Sequence, residues 1–221
     1  MGIAERRERE KRSRQDLAIK AAMELYDEEG YHAITMEKIA ERSELSRAAL
    51  YLYFNTKDEI FISGIVAHTS YFEGILQELY DNKESWKEKL LERLWECFRI
   101  LYKKNPVIFN ASLYFNQNDI IRNLSEELRA RLYESGSRVV KLQHKIIEYG
   151  VNEGIFIQCN PMTLSEVIWS CFLGITQLER SKQVLSRKNH LDITQDLAIK
   201  VLARSIIRNN RDDQDSRVPG V

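Results

Sequence analysis

Only nine glycines and three prolines occur in 221 residues, too few for the tight turns that a fold of many short strands requires. Cysteine is almost as scarce. Cys97, Cys159 and Cys171 are odd in number and lack metal-ligand spacing, which argues against both a disulfide framework and a cysteine metal site. Long apolar runs are missing as well: the best, Val167 to Ile175, is too short for a bilayer and contains Ser170. No secretory h-region follows Met1, because charge begins at Glu5 and persists through Arg14. The expectation is a cytoplasmic chain with free structural thiols and no membrane partner. Nor does one sign of charge dominate, since Lys plus Arg and Asp plus Glu each number 33. A basic surplus is the usual footprint of nucleic-acid binding, so any such contact has to come from a local patch.

Catalytic constellations are also lacking. His32, His68, His144 and His190 are scattered, and no glycine-rich phosphate loop follows a strand. His144 and Glu148 share a helix face, but such a pair is commonplace. No enzyme activity, cofactor or metal is expected; an all-α enzyme stands as the weakest alternative reading.

What is present is helical periodicity. A first helix is predicted over about 13–29, with Leu17, Ala18, Ala21, Ala22, Leu25 and Tyr26 on one stripe and Gly30 as its terminator. Ahead of it, residues 1–14 hold six basic and three acidic side chains, read either as a solvated, frayed end or as a basic arm near phosphates. Thr35 caps a second, short helix with Met36, Ile39 and Ala40 inward, and Ser46 caps a third that runs to about Phe54. Thr56-Lys57-Asp58-Glu59 forms a capping box that opens a long fourth helix. Asn105-Pro106 and Asn160-Pro161 each stop one helix and start the next. A single long helix is predicted from about 119 to 152, followed by helices at about 162–181 and 194–208. The fold class is therefore all-α, with about nine helices.

Two short helices joined by a tight turn after a bracing helix make a helix-turn-helix, whose third helix turns its outer face to the major groove. Arg47 and Tyr51 lie one turn apart on that face, beside Ala48 and Leu52. An Arg can pair bidentately with guanine, and a small Ala lets the helix sit deep. Tyr53 and Lys57 follow the reading residues and are expected at phosphates, as are the N-termini of the fourth helix and of the second at Thr35; Ser46 is expected among the DNA-binding residues as well. Residues 1–57 hold eleven basic and eleven acidic side chains, but Glu24, Asp27, Glu28 and Glu29 gather at one helix end, away from the reading face.

From Leu17 to Ile60 the sequence resembles the tetracycline-repressor (TetR) family of regulators. The resemblance rests on Gly30-Tyr31, Thr35, Ile39-Ala40, Leu45-Ser46, Leu50-Tyr51, Tyr53-Phe54, Lys57 and Ile60 in ordered spacing. Two departures are visible: Ser43-Glu44 stands where the family usually has Ala-Gly, and Ala48 where Gly is frequent. Glu44 thus occupies a turn position where Gly would relieve a left-handed backbone. The resemblance implies a repressor of double-stranded operator DNA, released by a small ligand. It also implies a DNA-binding domain over 1–56 and a ligand-binding and dimerisation domain over 57–208; the polar stretch 209–221, with Pro219 and Gly220, reads from its composition as a disordered tail.

Apolar residues cover more than one face of the last helix (Leu197, Ala198, Ile199, Val201, Leu202, Ala203, Ile206, Ile207), so it packs on two sides. The resemblance implies that the second surface is the same helix pair of another subunit, a homodimer through about 162–208; burial of the helix within one monomer is the alternative. A ligand pocket is expected among His68, Phe72, Trp95, Phe98, Tyr102, Phe109, Tyr133 and Gln143, for a small, largely apolar guest. The bland reading of those aromatics is plain core. Activation instead of repression, and a helical interaction module without DNA binding, are the remaining alternatives.

Overall fold

A computed structural model describes residues 2–208; the expected tail at 209–221 lies outside them. Ten α-helices and two 3-10 turns make up the described residues, with one isolated bridge between Phe156 and Ile207 and no strand. The helices are α1 (Ile3–Glu29), α2 (Met36–Arg42), α3 (Arg47–Tyr51), α4 (Lys57–Asp81), α5 (Leu90–Lys104), α6 (Pro106–Phe115), α7 (Asn118–Asn123), α8 (Glu126–Asn152), α9 (Pro161–Ser186) and α10 (Leu191–Ile206). The chain divides into two compact units: residues up to 72 with 101–138, and 73–100 with 139 onward.

In the first unit, α1 begins ten residues earlier than its apolar stripe suggests. No Gly or Pro interrupts Ile3–Glu29, and Arg6–Glu10 (3.0 Å) and Glu8–Arg12 (3.4 Å) pair one turn apart along the arm. The arm is thus a helical extension and not a frayed end. Further on, Ala18, Ala21, Ala22 and Leu25 are buried as the stripe requires, but Leu17 is 46% exposed. They join Ile39, Leu50, Phe54, Ile60, Phe61, Ala111 and Phe115 in one core. Residues of α4 and α6 therefore share the core of the first 56 residues.

The helix ends follow their side chains. Thr35 accepts from the Lys38 amide (3.3 Å), Ser46 from Ala49 (3.1 Å), Asn105 from Ile108 (2.9 Å) and Asn160 from Thr163 (3.1 Å). At α4 the Thr56 hydroxyl accepts from the Glu59 amide (3.2 Å), while the Glu59 carboxylate takes the Asn55 amide (2.7 Å). The box closes one residue upstream of its usual place. The single helix expected over 119–152 is divided: Leu124 is extended (ψ 150°), and Ser125 accepts from the Leu128 amide (3.3 Å) to begin α8 afresh.

In the second unit, Gly150 near the end of α8 lies under the buried Phe156 ring; a Cβ there would stand 2.3 Å from the ring edge. The Gly150 carbonyl accepts from the amides of Ile155 (2.9 Å) and Phe156 (3.1 Å), and Gly154 turns the chain at φ 68°. Helices α9 and α10 are tied by Gln195, whose amide donates to Thr176 Oγ1 (3.2 Å) in a buried contact. Their outer faces carry exposed apolar side chains: Val167, Leu178 and Leu185 on α9, and Ile193, Leu197 and Val201 on α10. No described helix is long and apolar enough to cross a membrane.

Candidate functional site

Helix α2 is fastened to the end of α1 by charge. Arg42 donates both terminal nitrogens to the Glu28 carboxylate (2.9 and 2.8 Å), and Lys38 pairs with Glu29 (2.5 Å). The Arg42 guanidinium holds the Glu28 carboxyl below its ordinary range, chiefly through that hydrogen bond. The acidic cluster at the end of α1 is thereby partly consumed in orienting α2.

Helix α3 follows a short turn. Leu50 is fully buried and anchors the helix, while Arg47, Ala48, Tyr51 and Leu52 point to solvent. Leu52 is 77% exposed, an apolar side chain held outward beside two polar ones. The turn needs a left-handed residue, and Glu44 supplies it at φ 56° without the freedom of glycine. Ser43 is buried and donates its hydroxyl to the Ile39 carbonyl (2.7 Å).

Arg47 is already paired. Its Nη2 lies 2.8 Å from Glu37 on α2, with both side chains well exposed. The Glu37 carboxyl is pulled below its ordinary range, first by its own backbone amide, then by Thr35 and more weakly by Arg47. Glu37 is a member of the site that sequence spacing alone did not single out.

Lys57 has a second occupation. Its Nζ donates to the carbonyls of Tyr31 and Ile34 (both 3.0 Å) and stands 4.2 Å over the Tyr31 ring. An ammonium has three donors, so one N–H is left for an outside acceptor. The Tyr31 hydroxyl donates to Asp58, and burial first, then that carboxylate, pushes the phenol well above its ordinary pKa. Tyr31 also meets Phe61, Tyr114 and Phe115 edge-on or tilted at 5.2–5.4 Å, which joins the turn ahead of α2 to the start of α4 and the end of α6. Tyr53 is half-buried near the α3 end.

The expected aromatic pocket is largely filled core. In the second unit, Trp95 and Phe98 pack with Trp169 and Phe172 at centroid distances of 4.8–6.4 Å, so the rings occupy one another's space. In the first unit, Phe72 and Phe109 are buried and Tyr102 meets Phe109 edge-on at 5.3 Å. Gln143 is buried as well. Tyr133 corrects the expectation outright: it is 76% exposed on α8 and lines no interior. Its neighbours Leu128, Ser135 and Val139 take the buried positions of that helix instead.

Of the expected ligand residues, His68 alone borders a groove in the first unit, a space of about 610 Å³ whose walls come from α1, α4 and the corner between α5 and α6. Among the described residues no group of three or more His, Cys, Asp or Glu is placed to hold a metal ion.

Residues 18–63 match the profile of the bacterial regulatory proteins of the tetR family. The chain is 27% identical over 146 residues to a fatty acid metabolism regulator protein of Bacillus subtilis (strain 168), covering 66% of this chain and 72% of that protein. It is 24% identical over 137 residues to the biofilm operon icaADBC HTH-type negative transcriptional regulator IcaR of Staphylococcus aureus (strain Newman), covering 57% and 73%. Among solved structures, the TetR-family regulator PfmR of Thermus thermophilus shares the fold with a TM-score of 0.66 at 20% identity, over 87% of this chain and 96% of that one. FadR of Bacillus subtilis in complex with stearoyl-CoA does so with a TM-score of 0.66 at 23% identity, over 85% and 96%.

Proposed function

We propose that this chain, whose residues 18–63 match the bacterial regulatory proteins of the tetR family, is a dimeric transcriptional repressor that grips operator DNA and leaves it when a small molecule binds. The observation that carries the reading is the outer face of α3, where Arg47, Ala48, Tyr51 and Leu52 stand free of the core that Leu50 anchors. Arg47 reads a guanine through O6 and N7, worth roughly 1–3 kcal/mol against the wrong base. Ala48 lets the helix approach closely, and the exposed Leu52 offers an apolar contact to a thymine methyl. Thr35, Ser46, Tyr53 and the remaining N–H of Lys57 serve phosphates, which set register without reading sequence. The arm adds a surplus of three positive charges over residues 1–14 on an exposed helix.

Residues 1–56 are the DNA-reading domain in this account, and 57–208 hold the ligand and dimer functions. Dimerisation uses α9 and α10: Val167, Leu178 and Leu185 face outward with Ile193, Leu197 and Val201, more apolar surface than a monomer gains from exposing. Gly174 lies between Val167 and Leu178 with open space above it, which lets a partner helix come close. The two reading helices of such a dimer have to sit about 34 Å apart, or a multiple, to enter successive major grooves.

Repression is supported by the negative regulator among the relatives, and a small-molecule response by the solved complex of FadR with stearoyl-CoA. A largely apolar ligand that favours a different spacing of the reading helices weakens DNA binding through a coupling of roughly 1–3 kcal/mol, or several-fold to about 150-fold. The test is binding of the purified protein to DNA from its own promoter region across a salt series, beside Arg47→Ala/Tyr51→Ala. Selective, salt-sensitive binding that the double variant loses is the expected result. Folded, dimeric protein with no selective binding at any salt contradicts the proposal.

A further inference from the structure

The groove of the first unit has a mostly apolar lining, with Ile19 and Met23 on α1, Ala67 and Tyr71 on α4, and Ile108 on α6. Its volume of about 610 Å³ suits a small molecule. Among the polar side chains of this lining, His68 is the buried one. His68 is 8% exposed, and its Nε2 has no hydrogen-bond partner. The imidazole also hydrogen-bonds the Leu101 backbone, in the last turn of α5, where the helix leaves its carbonyls without amide partners. A carbonyl accepts only from an N–H, so Nδ1 carries the proton. Burial, the larger influence, holds the ring neutral with its pKa lowered to about 4. Nε2 is then a bare acceptor, and a buried acceptor without a donor is costly.

The charges around the groove narrow the choice of guest. Asp16, Glu24, Asp27 and Glu28 line it from α1, against Lys20 and Lys104. Lys20 pairs with Glu24 at 3.8 Å, and Lys104 stands 4.9 Å over the Tyr71 ring. The acidic wall opposes an anion, and the nearby Lys104 ammonium opposes a cation at His68. An uncharged donor satisfies both.

We propose that this groove is the effector site, and that it takes an uncharged, largely apolar molecule whose single hydroxyl or N–H donates to His68 Nε2. The inference rests on the regulator reading for the word effector, not for the binding itself. The groove also adjoins a place where α1 and α4 touch: a Cβ on Gly64 would lie 2.8 Å from Ile19 Cγ2 and 3.2 Å from Met23 Cε. A guest pressing on Ile19 and Met23 bears directly on that helix crossing, and α1 is the helix to which α2 is fastened.

The experiment compares para-butylphenol with para-butylanisole, in which a methyl replaces the donating proton, in calorimetric titrations of the full chain without DNA; the His68 variant separates the lost donor from the added methyl. The phenol binds about five- to tenfold more tightly than the ether in the native protein. In His68→Leu the preference falls to within about twofold, and in Ala67→Trp, which fills the groove, both ligands lose binding. Should His68→Leu fail to fold, the ring-nitrogen NMR signal of His68 in the native chain shifts with the phenol and not with the ether. No phenol binding up to millimolar concentration, equal binding of the two compounds, or binding that survives Ala67→Trp overturns the site. Operator affinity measured separately falls several-fold under saturating phenol; an unchanged affinity overturns the effector role. Failure of the native chain to bind DNA refutes the regulator reading, while calorimetry still decides the groove.

Discussion

Replacing Gly150 with Ala tests the packing that closes the second unit. The added methyl would lie 2.3 and 2.4 Å from two carbons of the Phe156 ring, which is fully buried. Carbon atoms rest at about 3.5–4.0 Å, so the methyl overlaps the ring by more than about 1 Å. The ring has little freedom to retreat, because the Phe156 amide bonds the Gly150 carbonyl and the next residue's amide bonds Ile206 (2.9 Å). Overpacking of this kind costs about 1–3 kcal/mol, and the overlap places it near the upper end. Ala is favoured over Gly in a helix by about 1 kcal/mol, which offsets part of it. The net loss is about 2 kcal/mol, or a fall of about 4–8 °C in Tm for a domain of this size. Urea titration of the native protein, Gly150→Ala, Phe156→Leu and the double variant gives the coupling between the two positions. Phe156→Leu vacates the space, so the double variant should lose less than the sum of the two singles. A Gly150→Ala protein as stable as the native one, or strictly additive losses, would refute the reasoning.

Other consequences are equally open to measurement. Glu37→Gln frees Arg47 from its 2.8 Å partner and should tighten operator binding by up to about fivefold at low salt; fluorescence anisotropy that shows weaker binding would mean Glu37 orients Arg47 for DNA. Glu44→Gly removes the left-handed strain at φ 56°, worth about 1–2 kcal/mol, against an entropy cost of about 0.5–1 kcal/mol for glycine; a small rise in Tm is expected, and a fall contradicts the estimate. His68 has a folded pKa of about 4 against an ordinary 6.5. The unfolded chain therefore binds its proton first, and stability present above pH 6.5 is lost as pH falls toward 4, by about 3 kcal/mol. His68→Gln should flatten that part of the pH–stability curve, and an unchanged slope would assign it to other groups. Leu197→Glu places a charge on the outward face of α10 and should convert a dimer to monomer in sedimentation velocity, with operator affinity falling alongside; an intact dimer would move the interface elsewhere.

Much of the fold was legible because helix ends carry local chemistry. Thr35, Ser46, Asn105 and Asn160 each cap where their residue type and the following pattern say they do. The same signal was present at Ser125-Glu126-Glu127, but an unbroken apolar stripe across it masked the boundary between α7 and α8. Glu44 was readable as a strained turn, since a missing glycine leaves the backbone demand in place. The candidate site was legible only in part. The outer face of α3 follows from helical geometry, whereas the Arg47–Glu37 pair joins two helices whose separation no spacing reveals. The groove eluded sequence reading for a related reason. Its walls come from residues near 20, 67 and 107, while aromatic content drew attention to Trp95 and Phe98, which fill space and do not leave it.

The central claim is that α3 reads DNA, and the most direct test is selection of binding sequences from a random duplex pool by the native protein and by Arg47→Ala. The account predicts a two-fold symmetric site whose half-site centres lie about one helical turn, or a multiple, apart. It further predicts that Arg47→Ala loses preference at one symmetric pair of guanines and keeps the rest. A pool left unenriched by the native protein, or an identical preference from Arg47→Ala, would contradict it.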